Sequence, residues 1–545
     1  MAQWQTKNQL TELLTQLVEY QSITGSPAEI AISEYLHLRL RELGYFQENP
    51  QYLQLHPTAD GRKFITALVK KKRARKTVVL VSHFDVVDVE DYGEWKNLAF
   101  RPKELTNEFR RSQDLPEEVS NDIANGDWLF GRGTMDMKAG IALHMAMIEQ
   151  ACDGRFDGNV MLLSVPDEEV NSTGMIEAVE VLLELAGKYD LSYTACLNSE
   201  PIFTSYPGDD NYYVYSGSVG KVLPGFFCYG KETHAGEPFA GLNANFMVSE
   251  LTRALELNTT FCEQVEGENT PPPTNLMQKD LKDGYSVQSP HSAVTNFNLL
   301  TMEQPLENIT DQLLKLAGES AERIQKHYLE RVKQYNRWQS FDPVDFDIRV
   351  LTYEKLWAMA VERYGRDEIE RRQAYIIANF KELGDRDLST RLVFDLAALC
   401  KDQSPMIVLF YNPPFYPAVS SRHEPVILRT INHIMEYAHK KHGVSLKHKR
   451  FFPGLSDLSF TGMNQTANAL YPLVNNMPLY GNGYDLPFDA MRALNIPVMN
   501  LGPLGKDAHQ WTERLQLDYS FATLPGMLRE TIAELLKDNT PEITK

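Results

Sequence analysis

Cysteine is scarce in this chain. Cys152, Cys196, Cys228, Cys262 and Cys400 are scattered through 545 residues, odd in number and without metal-type spacing. That argues against a disulfide-stapled scaffold and reads as reduced thiols in a cytoplasmic protein. Long apolar runs are absent, and the opening "MAQWQTKNQLTELL" has no apolar signal core, so neither membrane insertion nor export is expected. Positive charge is short as well: 54 Lys and Arg against 73 Asp and Glu give a formal net charge of -19. Such a balance argues against nucleic acid or an anionic membrane as the partner. The one basic run, "KKKRARK" at 70–76, reads as a solvated loop between two strands. With 43% hydrophobic and 23% charged residues, the composition is that of a soluble globular protein long enough for two or more domains.

What is present is an alternation of strands and helices. Leu10, Leu13, Leu14, Leu17 and Val18 repeat with the spacing of a half-buried helix. "GSPAE" offers Ser26 as N-cap, Pro27 at the first helical position and Glu29 to close a capping box, so a second helix is expected from about 27 to 43. Apolar runs at 64–69, 77–87, 159–165 and 193–199 read as strands, with helices at 138–151 and 174–187 between them. This order predicts an α/β sandwich with a mostly parallel sheet, whose ligands belong at the carboxyl ends of the strands. From about residue 216 the texture changes. Helical stretches at 245–256 and 304–336 and a polar stretch at about 338–402 lead to a strand at 406–417. The earlier style then returns, with a helix near 424–441, apolar runs at 468–474 and 496–505, and a last helix at about 516–537. One discontinuous domain, 1–215 plus 421–545, interrupted by an inserted α+β domain at 216–420, accounts for this order.

Four strand ends and one distant loop each supply a residue of metal-ligand type. "LVSHFDVV" gives His83, with Asp85 on the same face, and "GRGTMDMKAG" gives Asp136. "VPDEEV" gives Glu168 and Glu169, "CLNSEP" gives Glu200, and "GKDAHQWTERL" gives His509. Three consecutive acids, Asp167 to Glu169, close a buried strand with no Lys or Arg between Asn159 and Lys188. Charges so placed repel unless a cation offsets them. Carboxylates mixed with imidazoles suit divalent zinc, with manganese or cobalt as substitutes, and two ions could share one bridging carboxylate. A lone His-x-Asp or a lone Asp-Glu-Glu is often an incidental surface feature. Their joint appearance at successive strand ends is hard to produce by accident.

In order and wording, "HFD", "GRGTMDMKAG", "PDEE", "NSEP" and "HQWTE" resemble the aminoacylase/carboxypeptidase-G family of dinuclear zinc metallopeptidases. That family includes acetylornithine deacetylase, succinyl-diaminopimelate desuccinylase and tripeptidase T. The length and insertions resemble its arginine-utilisation branch in bacilli. The resemblance implies that Asp136 bridges two metal ions, with His83 and Glu200 on one and Glu169 and His509 on the other. It implies Glu168 as general base and Asp85 as the residue orienting His83. It implies a cis peptide at Asp136–Met137, and a lid and dimerisation role for the inserted domain. His234, in "YGKETHAGEP", resembles the lid histidine that stabilises the oxyanion across a homodimer. A homodimer through 216–300 is therefore expected, with a monomer completed by the added segment as the alternative.

The chain departs from that pattern in three places. The lid strand has Asn298 and Leu300 where the family has Asp-x-Arg, so an arginine for the substrate carboxylate is not assured there. The lid is enlarged at about 338–402 and the catalytic domain at about 102–126. The expected activity is hydrolysis of an amide bond in an N-acyl or carbamoyl amino acid or short peptide, with an arginine or ornithine derivative as the natural substrate. The alternatives are a non-catalytic metal-binding or amino-acid-sensing protein, in which Glu168 would have no task, and a one-metal hydrolase.

Overall fold

A computed structural model of the chain describes residues 2–204, 208–282, 284–463 and 465–537. It divides into two units: Met1–Val219 with Pro417–Asn464 and Pro487–Lys545, and Gly220–Tyr416 with Gln465–Leu486. The short stretch 465–486, grouped above with 421–545, thus packs with the inserted unit. The peptide N–H of Tyr411 donates to Asn476 O at 2.8 Å, and Glu354 N–H donates to Asn476 Oδ1 at 3.0 Å. Its apolar run at 468–474 forms two single helical turns, Ala467–Leu470 and Tyr471–Val474, and no strand. Pro472 lacks the amide proton that a strand ladder would need.

The first unit is built on an eight-stranded sheet. In spatial order its strands are Leu53–Pro57, Lys63–Val69, Asn159–Val165, Lys76–His83, Ser192–Asn198, Val498–Asn500, Tyr212–Tyr215 and Leu446–Lys449. The four central strands, from Asn159–Val165 to Val498–Asn500, run parallel. Antiparallel pairs flank them, so the sheet is mixed with a parallel centre. Both faces of that centre are covered, which is why "TVVLVSH" and "NVMLLSV" are buried throughout. The helix Lys138–Cys152 is buried along nearly its whole length, and Lys7–Glu19 and Leu524–Leu536 pack against it.

Helix starts mostly follow the local chemistry. Thr6 and Gln9 form a capping box for Lys7–Glu19, a box not singled out from the sequence. The helix Pro27–Arg41 begins at Pro27 as expected, but the capping box through Ser26 does not form. Glu29 is drawn inward instead, accepting from Gly25 N–H at 2.7 Å and facing Arg62 at 3.2 Å. A half-buried guanidinium outcompetes the reciprocal cap for this carboxylate.

The second unit is a five-stranded sheet in the order Thr274–Asp280, Ser292–Thr301, Gly220–Tyr229, Met406–Tyr416, Arg349–Thr352. All pairings are antiparallel except the last. Successive strand residues point to opposite faces. Tyr411 meets Thr310 of the 30-residue helix Leu306–Tyr335 on one face at 2.7 Å. Phe410, Val408 and Phe227 pack with Leu356, Val393 and Leu396 on the other. The polar stretch 338–402 therefore contributes a helical layer, Tyr353–Tyr364, Arg366–Asn379 and Asp385–Leu399, whose apolar sides cover one sheet face. Among the described residues no helix is long and apolar enough to cross a membrane.

Candidate metal centre

The carboxyl ends of the parallel strands deliver their polar residues to one place. His83 closes its strand, Glu168 and Glu169 follow Asn159–Val165 after Pro166, and Glu200 follows Ser192–Asn198. Asp136 lies in the loop that opens the helix Lys138–Cys152, and its peptide bond to Met137 is cis, as expected. His83 Nε2 stands 3.3 Å from Asp136 Oδ1 and 3.5 Å from Glu200 Oε1. On the other side, His509 Nε2 stands 3.3 Å from Asp136 Oδ2 and 3.1 Å from Glu169 Oε2. The two oxygens of Asp136 are thus shared between two triads, His83–Asp136–Glu200 and Asp136–Glu169–His509. Glu168 Oε2 lies 3.9 Å from His83 Nε2, at the same centre but outside both triads.

Asp85 does more than face the ring of His83, whose Nδ1 is 3.4 Å from Asp85 Oδ1. Its Oδ1 accepts from the peptide N–H of Glu168 at 3.1 Å, and its Oδ2 from that of Glu169 at 3.2 Å. Thr24 Oγ1 donates to the same Oδ2 at 2.9 Å. One buried residue therefore positions an imidazole, whose Nδ1 lies 3.1 Å from the Asp85 peptide carbonyl, and both glutamates, through its carboxylate.

The electrostatics of the cluster call for positive charge. Burial pushes the carboxyls of Glu168 and Glu200 well up, and neighbouring acids, Asp457 among them, add to the shift. Burial also raises Glu169, with Asp136 contributing. Asp136 moves the other way: hydrogen bonds with His509 and His83 outweigh its burial and hold it far below the usual carboxylate range. Burial disfavours the charged imidazoles, yet Asp136 and Glu169 drive His509 up to about 11. His83 is driven up by Glu200 and Asp136. Among the described residues, the cations in direct contact with these acids are the protonated imidazoles of His83 and His509. Two divalent ions would relieve the acids more fully, and a set of imidazole and carboxylate atoms, with no thiolate, suits zinc or manganese.

Three supporting residues were not legible in the sequence. Arg62 comes from the turn between the first two strands and donates to Asp167 Oδ1 at 2.7 Å, and Glu29 lies at 3.2 Å. It is the counter-charge that the local sequence lacks, 105 positions away from Asp167. Glu513 accepts from the peptide N–H groups of Met135 at 3.2 Å and Asp136 at 3.4 Å, while Arg132 donates to its other oxygen at 2.9 Å. Asp457 is buried, and burial pushes its carboxyl up to about 7. "GRGTMDM" and "HQWTERL" already contain Arg132 and Glu513, but their pairing across the fold has no sequence signal. Asp167 and His509 hold positive φ angles of 73° and 63°. Such backbone is uncommon outside glycine and collects at functional sites.

The role of Arg62 gives a direct expectation. Arg62→Met leaves Glu29 and Asp167 buried without their cation and should cost about 3–5 kcal/mol of stability, read by denaturant unfolding. A loss under about 1 kcal/mol would show that the pair is solvated.

His234 belongs to the second unit, where it stands exposed in a turn and its Nδ1 accepts from Gly236 N–H at 3.1 Å.

The chain belongs to peptidase family M20/M25/M40, whose model matches residues 79–533. It is 53% identical over 537 residues to YqjN of Bacillus subtilis (strain 168), covering 98% of each chain. It is 32% identical over 549 residues to RocB of the same organism, covering 98% of this chain and 96% of that one. Among solved structures, the M20 family metallo-carboxypeptidase Sso-CP2 from Sulfolobus solfataricus matches with a TM-score of 0.55 at 13% identity, over 97% of this chain and 99% of that one. The di-peptidase Dug1p from Saccharomyces cerevisiae matches at 0.55 and 11%, over 98% and 97%. At such identities the structures establish a shared fold. Family and fold together define a metallohydrolase with two divalent metal ions, zinc being typical.

Proposed function

We propose that this chain hydrolyses the amide bond of an N-acyl or carbamoyl amino acid or of a short peptide. His83, Asp136 and Glu200 would hold one ion, and Asp136, Glu169 and His509 the other. The observation that carries the reading is the division of Asp136, one oxygen toward the His83 side and one toward the His509 side, with Glu168 3.9 Å from His83. The two ions, when bound, would polarise the scissile carbonyl and acidify a water. Glu168, outside both triads, takes the proton of the attacking water and returns it to the departing nitrogen. Asp85 fixes Glu168 from its peptide N–H, so the base is aimed by the backbone as well as by its side chain. A purely sensing protein would have no use for such a group. Similarity to RocB, together with the branch resemblance seen in the sequence, supports an arginine or ornithine derivative as substrate. The five unpaired cysteines support a cytoplasmic setting.

Screening zinc- and manganese-loaded protein against N-acyl amino acids and dipeptides, with ninhydrin detection of the freed amine, tests the activity. No release from any of them would reject it. Metal removal has its own readout. A ligand present at a hundredfold its dissociation constant adds about 2.7 kcal/mol to stability, so chelation should lower the thermal midpoint by several degrees. Asp136→Asn should reduce bound metal to well below one ion per chain by elemental analysis, since both triads lose their shared ligand. Retention of two ions would remove Asp136 from the bridge.

A further inference from the structure

The ladder between Ser192–Asn198 and Val498–Asn500 stops just before Ser199 and Glu200, and side chains take over from it. Ser199 Oγ donates to the peptide carbonyl of Leu501 at 3.0 Å, and Asn500 Nδ2 donates to that of Glu200 at 3.2 Å. Asn198 accepts from Ser199 N–H at 2.7 Å, and its own amide donates to Ser456 Oγ at 2.9 Å. A further tie comes from the helix Lys138–Cys152, whose His144 Nε2 lies 3.0 Å from Ser199 Oγ. This helix opens at Lys138, just past Asp136 and Met137, and His144 stands about two turns further along it. At Gly140 a Cβ would lie 2.6 Å from the Ser199 carbonyl oxygen, so helix and segment meet backbone to backbone. One rigid element therefore follows directly from Asp136 and also grips the residue that precedes Glu200.

The proton positions follow from the partners. A hydroxyl has one hydrogen, and that of Ser199 goes to the Leu501 carbonyl. The imidazole must therefore be the donor to Ser199, with its hydrogen on Nε2. His144 is fully buried, and burial pushes it down to about 3, so the ring is neutral and Nδ1 is a bare acceptor. Nδ1 has no hydrogen-bond partner among the described residues. An acceptor sealed in the core without a partner is costly. Its helix neighbours Leu143 and Met145 are apolar and fully buried, and a leucine at 144 would leave no such acceptor. A local cost that an apolar residue would avoid is the mark of a position kept for function. The other ring nitrogen supplies the reason, because its N–H is what reaches Ser199.

We propose that His144 is a positioning residue of the metal centre: its Nε2–H holds Ser199, and through it Glu200, in register with the helix that follows Asp136. The proposal rests on the reading of His83, Asp136 and Glu200 as one ion's ligands. Its test is zinc affinity, measured on the full chain by competition with a chelator, beside the thermal midpoint of the metal-free protein. His144→Leu should weaken the binding of at least one zinc ion tenfold or more, while the metal-free midpoint stays at or above the parent's. His144→Gln, whose amide can donate where Nε2–H does, should stay within threefold of the parent. Ser199→Ala should weaken zinc as His144→Leu does, and the two together should do no more than either, because both cut one tie. Unchanged zinc affinity in His144→Leu, or an equal loss in the leucine and glutamine variants, overturns the proposal. So does a loss of zinc matched by an equal fall in metal-free stability, which would make His144 a core residue only. Should the leucine variant fail to fold, Ser199→Ala against its own metal-free midpoint carries the same test. Zinc binding is read without substrate, so a chain that cleaves no amide yet shows these shifts would reject the hydrolase reading and leave His144 in its role.

Discussion

Glu168→Gln should lower kcat by 10²–10⁴ or more, the range general acid–base groups contribute, while bound metal stays at about two ions per chain. The reasoning runs through position. Glu168 lies 3.9 Å from His83 Nε2 but belongs to neither triad, so its loss leaves both sets of ligands intact. Gln preserves size and one acceptor but can neither receive nor return a proton. The peptide N–H bond to Asp85 is unaffected by the change, so the loop should keep its place. Elemental analysis and the pre-steady-state rate of amine release together decide the matter. Ordinary turnover in the variant would assign the base to another group. Asp457, buried nearby with its carboxyl pushed up to about 7, is then the first residue to replace.

His234→Ala should lower kcat by about 10²–10³, the effect of removing one oxyanion donor, equivalent to about 2.7–4 kcal/mol, without loss of metal. The imidazole stands exposed in its turn, with only Nδ1 engaged by Gly236 N–H at 3.1 Å, so Nε2 is available to donate. We propose that this group serves the centre of a second copy in a homodimer through 216–300. Mixing His234→Ala with Glu168→Gln protein is the discriminating experiment. Each single variant is inactive for a different reason, and a mixed dimer contains one site with both groups present. Activity should return toward a quarter to a half of the wild-type value as subunits exchange. Failure to recover in a verified mixed dimer would confine His234 to its own chain or to a structural part.

Periodicity and capping chemistry placed many of the elements. Lys138–Cys152, Ala244–Leu255, Leu306–Tyr335 and Pro425–His442 all begin and end within two residues of their expected bounds. The site was legible because parallel strands deliver consecutive motifs to one edge, so His83, Glu168 and Glu200 needed no knowledge of the loops between them. What was hidden are pairings between distant residues. Arg62 and Asp167 are brought together by the fold, 105 positions apart, and Glu29 had a plausible local task that a half-buried guanidinium took over. Asp457 opens a single 3-10 turn, Asp457–Phe460, in a stretch with neither alternation nor the spacing of a longer helix. The run at 468–474 shows the same limit from the other side. Its apolar residues suited a strand, but Pro472 and packing within the inserted unit, to which the run belongs, made it helical turns.

The strand Val498–Asn500 sits between Ser192–Asn198 and Tyr212–Tyr215, so a piece of the first unit's sheet interior is translated only after Gly220–Tyr416 of the inserted unit. At roughly 5–20 residues per second, about 15–60 s separate emergence of Glu200 from that of His509. Throughout that interval the nascent chain holds four of the five proposed ligands, unpaired edges on two neighbouring strands, and no closing segment. The inserted unit, 465–486 included, is synthesised wholly within this wait. Premature termination between Glu200 and residue 496 would therefore release an open sheet with a half-built acidic cluster, a form suited to capture by chaperones or proteases. For the same reason the second triad forms only once His509 has been translated, so the ion proposed for it is the later of the two to find its full set of ligands.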